Sequence, residues 1–301
     1  MPNYWFKSET VSMELGGRQL TIETGRLAKQ AHGACVVTYG ETAVLATVTH
    51  GKPRAGIDFF PLTVDFVEKT SAAGKIPGGF FKREARLSDR EVLVCRFIDR
   101  SIRPLFTDGY NDDTMVMITV LSADGDSTPD IPAFIGASCA LAISEIPFMG
   151  PIAAVRLGRV EGEMIVNPTR EQSEQSDLDL VVAGSRKALV MVEGGADVVG
   201  EDEILAALQF GHSEVIRVID IQEELQGKVG KQKLAPVEAP DVSETDAQIR
   251  AQAAARLDTA SRIKEKKERS AAIKEIETEV LDGFMNAYRS EKVTLDSLEA
   301  V

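Results

Sequence analysis

Two glycine-marked turns, Gly16-Gly17 and Gly40-Glu41, cut residues 9–51 into four short runs rich in apolar and β-branched residues. That punctuation limits the fold more than any other feature of the chain. TVSMEL and RQLTIET flank Gly16-Gly17 and read as a hairpin, because glycine enters the left-handed conformations that two-residue hairpin turns require. ACVVTYG and TAVLATVTHG follow, apolar enough to be expected buried on both faces or nearly so. PLTVDFVEKT (61–70) and TMVMITVLS (114–122) are two further strands, and others are expected near 151–159, 162–166, 178–183 and 188–193. Helices are fewer. One should begin at Ser88, where Ser88 and Glu91 have the spacing of a capping box, and stop near Arg103 before Pro104. A second starts at Thr128-Pro129, with proline suited to a first turn. Its Gly136, Ala137, Ser138 and Ala140 permit close backbone packing. A third, amphipathic, runs from about Glu201 to Leu225, with Glu201, Asp202 and Glu203 at the positive end of its dipole. Strands and helices do not alternate strictly, which predicts an α+β fold of mixed sheets with packed helices and excludes a Rossmann repeat.

The 301 residues divide by composition. Residues 1–226 form the mixed core, with sub-parts at about 1–147 and 148–226. Residues 227–242 are Gly-, Lys- and Pro-rich and read as a linker. Residues 243–301 have helix-forming composition and are expected to make a small all-α domain. Its KEKKER run (264–269) reads as a solvated helix face. Thr294 is placed to cap a last helix through Leu295, Leu298 and Val301, and the absence of a stop signal there suggests a longer natural protein.

Charge is distributed unevenly. The chain carries a net charge of −13, which by itself argues against a polyanion partner. Residues 1–103 are net +4 and residues 104–301 net −17, so an anion-binding surface belongs in the first third. Cys35, Cys95 and Cys139 are too few and too far apart for a disulfide framework or a CxxC metal site, which fits a reducing, cytoplasmic setting. No run of 18 apolar residues is present and no leader is visible, so no membrane partner is expected.

Familiar catalytic motifs are absent: there is no P-loop, GxGxxG or GxSxG. His32, His50 and His212 lack zinc-ligand spacing and read as packed or surface imidazoles. Asp124, Asp126 and Asp130, and again Asp177 and Asp179, are Mg²⁺ ligands in principle, but turn chemistry for the first group and the solvent-facing start of a strand for the second are the preferred readings. The strongest local signal is KIPGGFFKREARLSDREVLVCRFIDRSIR (75–103). From Lys82 to Arg103 it has seven basic and four acidic residues. Phe80 and Phe81 lie on a glycine-flexed loop beside Lys82, Arg83 and Arg86. Aromatic faces stack on unpaired bases while cations meet phosphates, the combination that single-strand binders use. On the following helix Arg96, Arg100 and Arg103 share a face. Packing of the two phenylalanines and pairing of Arg96 and Arg103 with Asp99 is the alternative.

Residues 57–106, 129–158 and 178–212 closely resemble, in order, the first RNase PH-like core of the polynucleotide phosphorylase family. The resemblance continues through the linker into that family's all-α domain. It implies cleavage of single-stranded RNA from the 3′ end by inorganic phosphate, with release of nucleoside diphosphates in mRNA turnover. It further implies Mg²⁺, a homotrimeric ring threaded by RNA, and partners from RNA-degradation complexes. The family's Phe-Phe-Arg-Arg pore loop matches Phe80, Phe81, Lys82 and Arg83, with Arg86 just after. Lysine at the third position keeps charge but loses the planar fork that grips phosphate twice. The family's catalytic residues lie in its second core and do not carry over. The loop equivalent to its phosphate site reads ADGDSTPD (123–130), whose carboxylates repel phosphate, and the stretch equivalent to its metal site begins Asn167-Pro168, without aspartate. The resemblance therefore implies a core that guides RNA and builds the ring, with no catalytic residue and no Mg²⁺ or phosphate bound by this chain. The RNA-facing residues would be Phe80 and Phe81 for bases, and Lys82, Arg83, Arg86, Arg96, Arg100 and Arg103 for the backbone. The alternative is a complete, non-catalytic scaffold or RNA-binding subunit of an exosome-like ring.

Overall fold

The first hairpin closes on Gly16 and Gly17, both in the left-handed region. It joins β1 (Glu9–Leu15) to β2 (Arg18–Thr24) with Leu15 opposite Arg18. A computed structural model describes residues 8–53, 59–78, 83, 84, 86–235 and 241–289, in two units, 1–237 and 238–301. In the first unit β3 (Gly33–Tyr39), β4 (Thr42–Gly51), β5 (Leu62–Val67) and β6 (Asp113–Ser122) complete a six-stranded sheet in the order β1-β2-β3-β4-β6-β5. Every pair is antiparallel except β5 with β6. That parallel pair is joined through α1 (Asp89–Ile102), because parallel neighbours need a crossover rather than a hairpin. The second sheet, β10-β9-β7-β8, is antiparallel throughout and comprises β7 (Ala153–Val160), β8 (Glu163–Val166), β9 (Leu178–Gly184) and β10 (Leu189–Ala196).

Helix α2 (Asp130–Ile143) is buried along its whole length. It packs on β3, β4 and β6 of the first sheet, on β7 of the second, and on α4 (Glu201–Val229). The small residues seen in the sequence make that position attainable. A Cβ on Gly136 would lie 2.9 Å from the Ala46 methyl, and one on Gly33 would lie 2.1 Å from the Ala140 carbonyl oxygen. Phe134, Ile135 and Leu141 are fully buried there, each contributing about 1.5–3 kcal/mol by leaving water.

One expectation about the sheet needs correcting. Strands β3 and β4 are not buried on both faces. Cys35, Val37, Tyr39, Val44, Ala46 and Val48 face the core, whereas Val36, Leu45 and Thr47 on the other face are only half-buried. Within this unit α2 covers one face of the sheet, so an apolar run here does not mean two covered faces. Helix α3 (Arg170–Gln175) was not anticipated, although Thr169 and Gln172 form its capping box.

The expected linker begins differently too. Helix α4 continues through Val229, and the chain that follows is fastened to the core. Lys231 N donates to Ile143 O and Leu234 N to Glu145 O. The Lys233 ammonium donates to the carbonyls of Leu141, Ala142 and Ser144 at 2.8–2.9 Å. The Leu141 carbonyl also accepts from Ser144 Oγ at 2.8 Å and that of Ala142 from Gln226 Nε2 at 3.1 Å, so the ammonium adds a charged donor to the carbonyl end of the helix.

The second unit is helical: α5 (Ser243–Ser261) and α6 (Lys266–Arg289) pack through Ala253, Ala260, Ile276, Val280 and Phe284. Of the KEKKER run, residues 264–268 are exposed, while Arg269 turns back to the Ile263 carbonyl at the end of α5. Among the described residues no helix is long and apolar enough to cross a membrane. The helix expected from Thr294, and Phe80, Phe81 and Lys82 of the glycine-flexed loop, lie outside the described residues.

Candidate nucleic-acid interface and its neighbouring cavity

Helix α1 starts as its sequence dictates. Ser88 Oγ accepts from Glu91 N at 3.3 Å, and Glu91 Oε2 accepts from Ser88 N at 2.6 Å. The other Glu91 oxygen takes the N–H of Glu68 at 2.8 Å, which ties the helix start to the end of β5. Burial would raise the Glu91 carboxyl, but the N–H groups of Glu68 and Ser88 outweigh it and hold the group below its usual range. Glu84 makes a parallel tie. It accepts from Thr70 N at 2.8 Å, which lowers its pKa, and Lys69 Nζ reaches its carbonyl at 3.0 Å.

These contacts border a cleft of about 440 Å³ lined by Lys69, Arg83, Glu84, Arg86 and Glu91. Of the three glutamates that line it, Glu84 and Glu91 have their carboxylates engaged by main-chain N–H groups, and Glu68 is the third. Arg83 and Arg86 are exposed and make no ion pair with the described residues. Along the outer face of α1, Arg96 and Arg100 are likewise exposed and unpaired among the described residues, beside exposed Val92 and Leu93.

Arg103 belongs to a different arrangement. Its Nε and Nη2 hold the Asp99 carboxylate at 3.1 and 2.6 Å, Nη1 donates to Phe60 O at 3.0 Å, and Nη2 also reaches Leu62 O at 3.2 Å. Its guanidinium lies over the Phe60 ring. The guanidinium joins the end of α1 to the entrance of β5. Of the eight residues singled out in the sequence, the structure thus leaves Arg83, Arg86, Arg96 and Arg100 exposed and commits Arg103 to the fold, while the first three of the loop lie outside the described residues.

A second cavity, of about 490 Å³, opens beside the start of α2 and is lined by Arg90, Thr128, Asp130, Arg156, Asp179 and Glu193. Arg156 bridges Asp130 at 2.7 Å and Asp179 at 2.5 Å. Burial opposes its charge, yet Asp130 and Asp179 outweigh burial and raise its pKa. Arg159 is similarly held by Asp177 and Glu203. Asp124 acts as a turn former. Its Oδ1 accepts from Asp126 N and Ser127 N, both at 2.9 Å, and these bonds lower its pKa against the opposing effect of burial. Asn167 has φ +49°, receives Arg18 on its carbonyl, and accepts from Arg156 N through Oδ1. The aspartates weighed as Mg²⁺ ligands do not form a three-ligand group among the described residues. The sequence reading missed a different cluster, His32, His50 and Glu145, whose members are brought together only by the fold.

Comparison with known proteins agrees with this architecture. Residues 16–147 match the 3′ exoribonuclease family, domain 1, and residues 150–214 match domain 2 of the same family. Polyribonucleotide nucleotidyltransferase of Exiguobacterium sibiricum is 51% identical over 276 residues, 92% of this chain and 37% of the relative. That of Geobacillus kaustophilus is 48% identical over 290 residues, 96% of this chain and 40% of the relative. The chain thus spans about two-fifths of the length of these relatives. In fold, it is similar to the crystal structure of rice (Oryza sativa) Rrp46, with TM-score 0.54 and 18% identity, covering 75% of this chain and 97% of that one. The resemblance carried by residues 57–106, 129–158 and 178–212 is borne out: the chain belongs to the 3′ exoribonuclease family, with polyribonucleotide nucleotidyltransferases among its relatives.

Proposed function

We propose that this chain is the RNA-guiding, ring-building part of a cytoplasmic phosphorolytic 3′-to-5′ exoribonuclease, and that it holds no active site of its own. One contrast carries the reading. Arg83, Arg86, Arg96 and Arg100 are exposed without carboxylate partners among the described residues, whereas Arg156, beside the start of α2, is already held by Asp130 and Asp179. An exposed guanidinium offers a phosphate two parallel N–H bonds; one closed by two carboxylates does not.

The family's Mg²⁺ and phosphate do not fit the residues present. The cavity at α2 brings three acids, Asp130, Asp179 and Glu193, against Arg90 and Arg156. A phosphate there would meet repulsion, and the carboxylates a metal would need hold guanidinium or main-chain N–H groups. Catalysis in the intact protein is therefore assigned to residues outside this chain. Here Arg83 and Arg86 would hold the RNA backbone, Phe80 and Phe81 would stack on bases, and Lys82 would add charge. The homotrimeric ring and further RNA-degradation partners belong to the same proposal.

The test has two arms. Purified chain incubated with poly(A), phosphate and Mg²⁺ should release no ADP, and sustained release would overturn the assignment. Changing Lys82, Arg83 and Arg86 together to Glu should weaken single-stranded RNA binding. The log–log salt dependence should become shallower by roughly 0.7 for each phosphate no longer neutralised. An unchanged slope would remove the loop from the RNA path.

A further inference from the structure

His32 and His50 are 18 residues apart, and the sheet makes them neighbours. Gly33 pairs with Val48 across β3 and β4, and His32 N donates to Val48 O at 2.9 Å. The two imidazoles face each other with centroids 4.3 Å apart. Glu145, just beyond α2, points at both: its Oε1 lies 3.8 Å from His32 Nε2 and 3.7 Å from His50 Nε2. Those separations are too long for hydrogen bonds. They are near the spacing of ligand atoms around a tetrahedral ion, since donors at about 2.0–2.2 Å from zinc lie roughly 3.3–3.5 Å apart.

A second layer supports the first. Asp112 Oδ2 lies 2.9 Å from His50 Nδ1. An ionised carboxylate only accepts, so this contact favours the tautomer with the proton on Nδ1 and the Nε2 lone pair toward the cluster. This carboxylate–histidine arrangement is the one that orients metal-bound imidazoles. Lys231 holds Glu145 Oε2 at 2.9 Å and the His32 carbonyl at 2.6 Å, which fixes the carboxylate with Oε1 inward. All three candidate ligands are half-buried, so an ion can reach them.

We infer that His32 Nε2, His50 Nε2 and Glu145 Oε1 form a site for Zn²⁺ or a similar first-row divalent ion, with a fourth position left for water. Two imidazoles and one carboxylate suit zinc, whereas Mg²⁺ prefers an all-oxygen, octahedral set. The site joins the turn before β3, the end of β4 and the end of α2, and is independent of the RNA-facing arginines. Loading has one structural consequence. In this structure His32 Nδ1 accepts from His50 N at 3.2 Å. Coordination through Nε2 moves the His32 proton onto Nδ1 and gives up that long bond, so the His50 amide must register the ion.

The experiment titrates Zn²⁺ into chelator-treated chain by calorimetry, and Co²⁺ by visible absorption. One equivalent should bind with imidazole ligation, Co²⁺ should give an intense tetrahedral spectrum, and excess Mg²⁺ should not compete. The His50 amide resonance should shift on the unaltered chain. His50→Ala and Glu145→Gln should each weaken binding by about 100-fold or more, and Asp112→Asn by roughly 10- to 100-fold. His212→Gln, outside the cluster, should change nothing. A site that survives His50→Ala and Glu145→Gln, or Zn²⁺ binding that leaves the His50 amide unmoved, would overturn the assignment. So would the absence of a saturable site. The amide and Co²⁺ readouts use the unaltered chain and stand even where a variant fails to fold.

Discussion

Arginine is used in opposite ways in two regions of the core. Around β7, Arg156 and Arg159 are each closed by two carboxylates and largely withdrawn from solvent. On α1 and the loop before it, Arg83, Arg86, Arg96 and Arg100 are exposed and unmatched among the described residues. The same side chain is a structural clamp in one place and an available cation in the other. Counting basic residues does not separate the two uses; counting the acids within reach of each guanidinium does. Arg103 lies on the stretch that looks available in sequence and behaves like the clamps.

The sharpest way to break the contrast is Arg156→Met. It strands buried Asp130 without a counter-charge, and removing one partner of such a pair costs about 3–5 kcal/mol. Urea unfolding should show a loss of that size, with RNA affinity of the folded fraction unchanged. A much smaller loss would mean that water replaces the guanidinium.

A middle-sized effect is expected at Glu91. Its folded-state pKa lies below the ordinary 4.5, so its stabilising contribution is present above that value and lost as pH falls through the folded pKa. Glu91→Gln should cost about 0.5–2 kcal/mol near neutral pH. The variant should also lose less further stability than the parent on acidification below 4.5. Urea midpoints compared at neutral and acid pH measure both.

The smallest stability change belongs to the exposed arginines. Changing Arg96 and Arg100 to Gln should leave unfolding within about 0.5 kcal/mol. The same change should flatten the salt dependence of RNA binding by roughly 0.7 for each phosphate that the pair neutralises. Arg103→Gln should do the reverse, with measurable destabilisation and an unchanged slope. Identical behaviour of the three would erase the distinction between clamp and available cation.

What could be read from the residues alone was mostly local. Gly16-Gly17 fixes a hairpin because its turn geometry lies within two residues, and Ser88 with Glu91 fixes a helix start because both partners lie within one turn. The Thr169–Gln172 box carries the same signal, but α3 is only six residues long and has no apolar period to draw attention to it. Pairing of Arg103 with Asp99 was visible as an i, i+4 spacing, whereas its Phe60 and Leu62 carbonyls, some forty residues back, were not. His32, His50 and Glu145 meet through strand register and the end of a helix, so no spacing along the chain announces them. The family resemblance supplied what local signals lacked, namely the order in which these pieces assemble.

The lysines after α4 alter where this core can be considered finished. Composition places its edge at residue 226, in a stretch that looks like mere tether. A version of the core cut there would lack Lys231 and Lys233. The carbonyls of Leu141, Ala142 and Ser144 would then have no ammonium to face, and Glu145 would lose its nearest cation. Burial already pushes the Lys233 ammonium down to about 8, against the opposing pull of Glu145, so even alkaline buffer begins to undo this fastening. The shortest self-sufficient form of the domain therefore carries its own clasp, and anyone isolating it should keep the chain through Leu234.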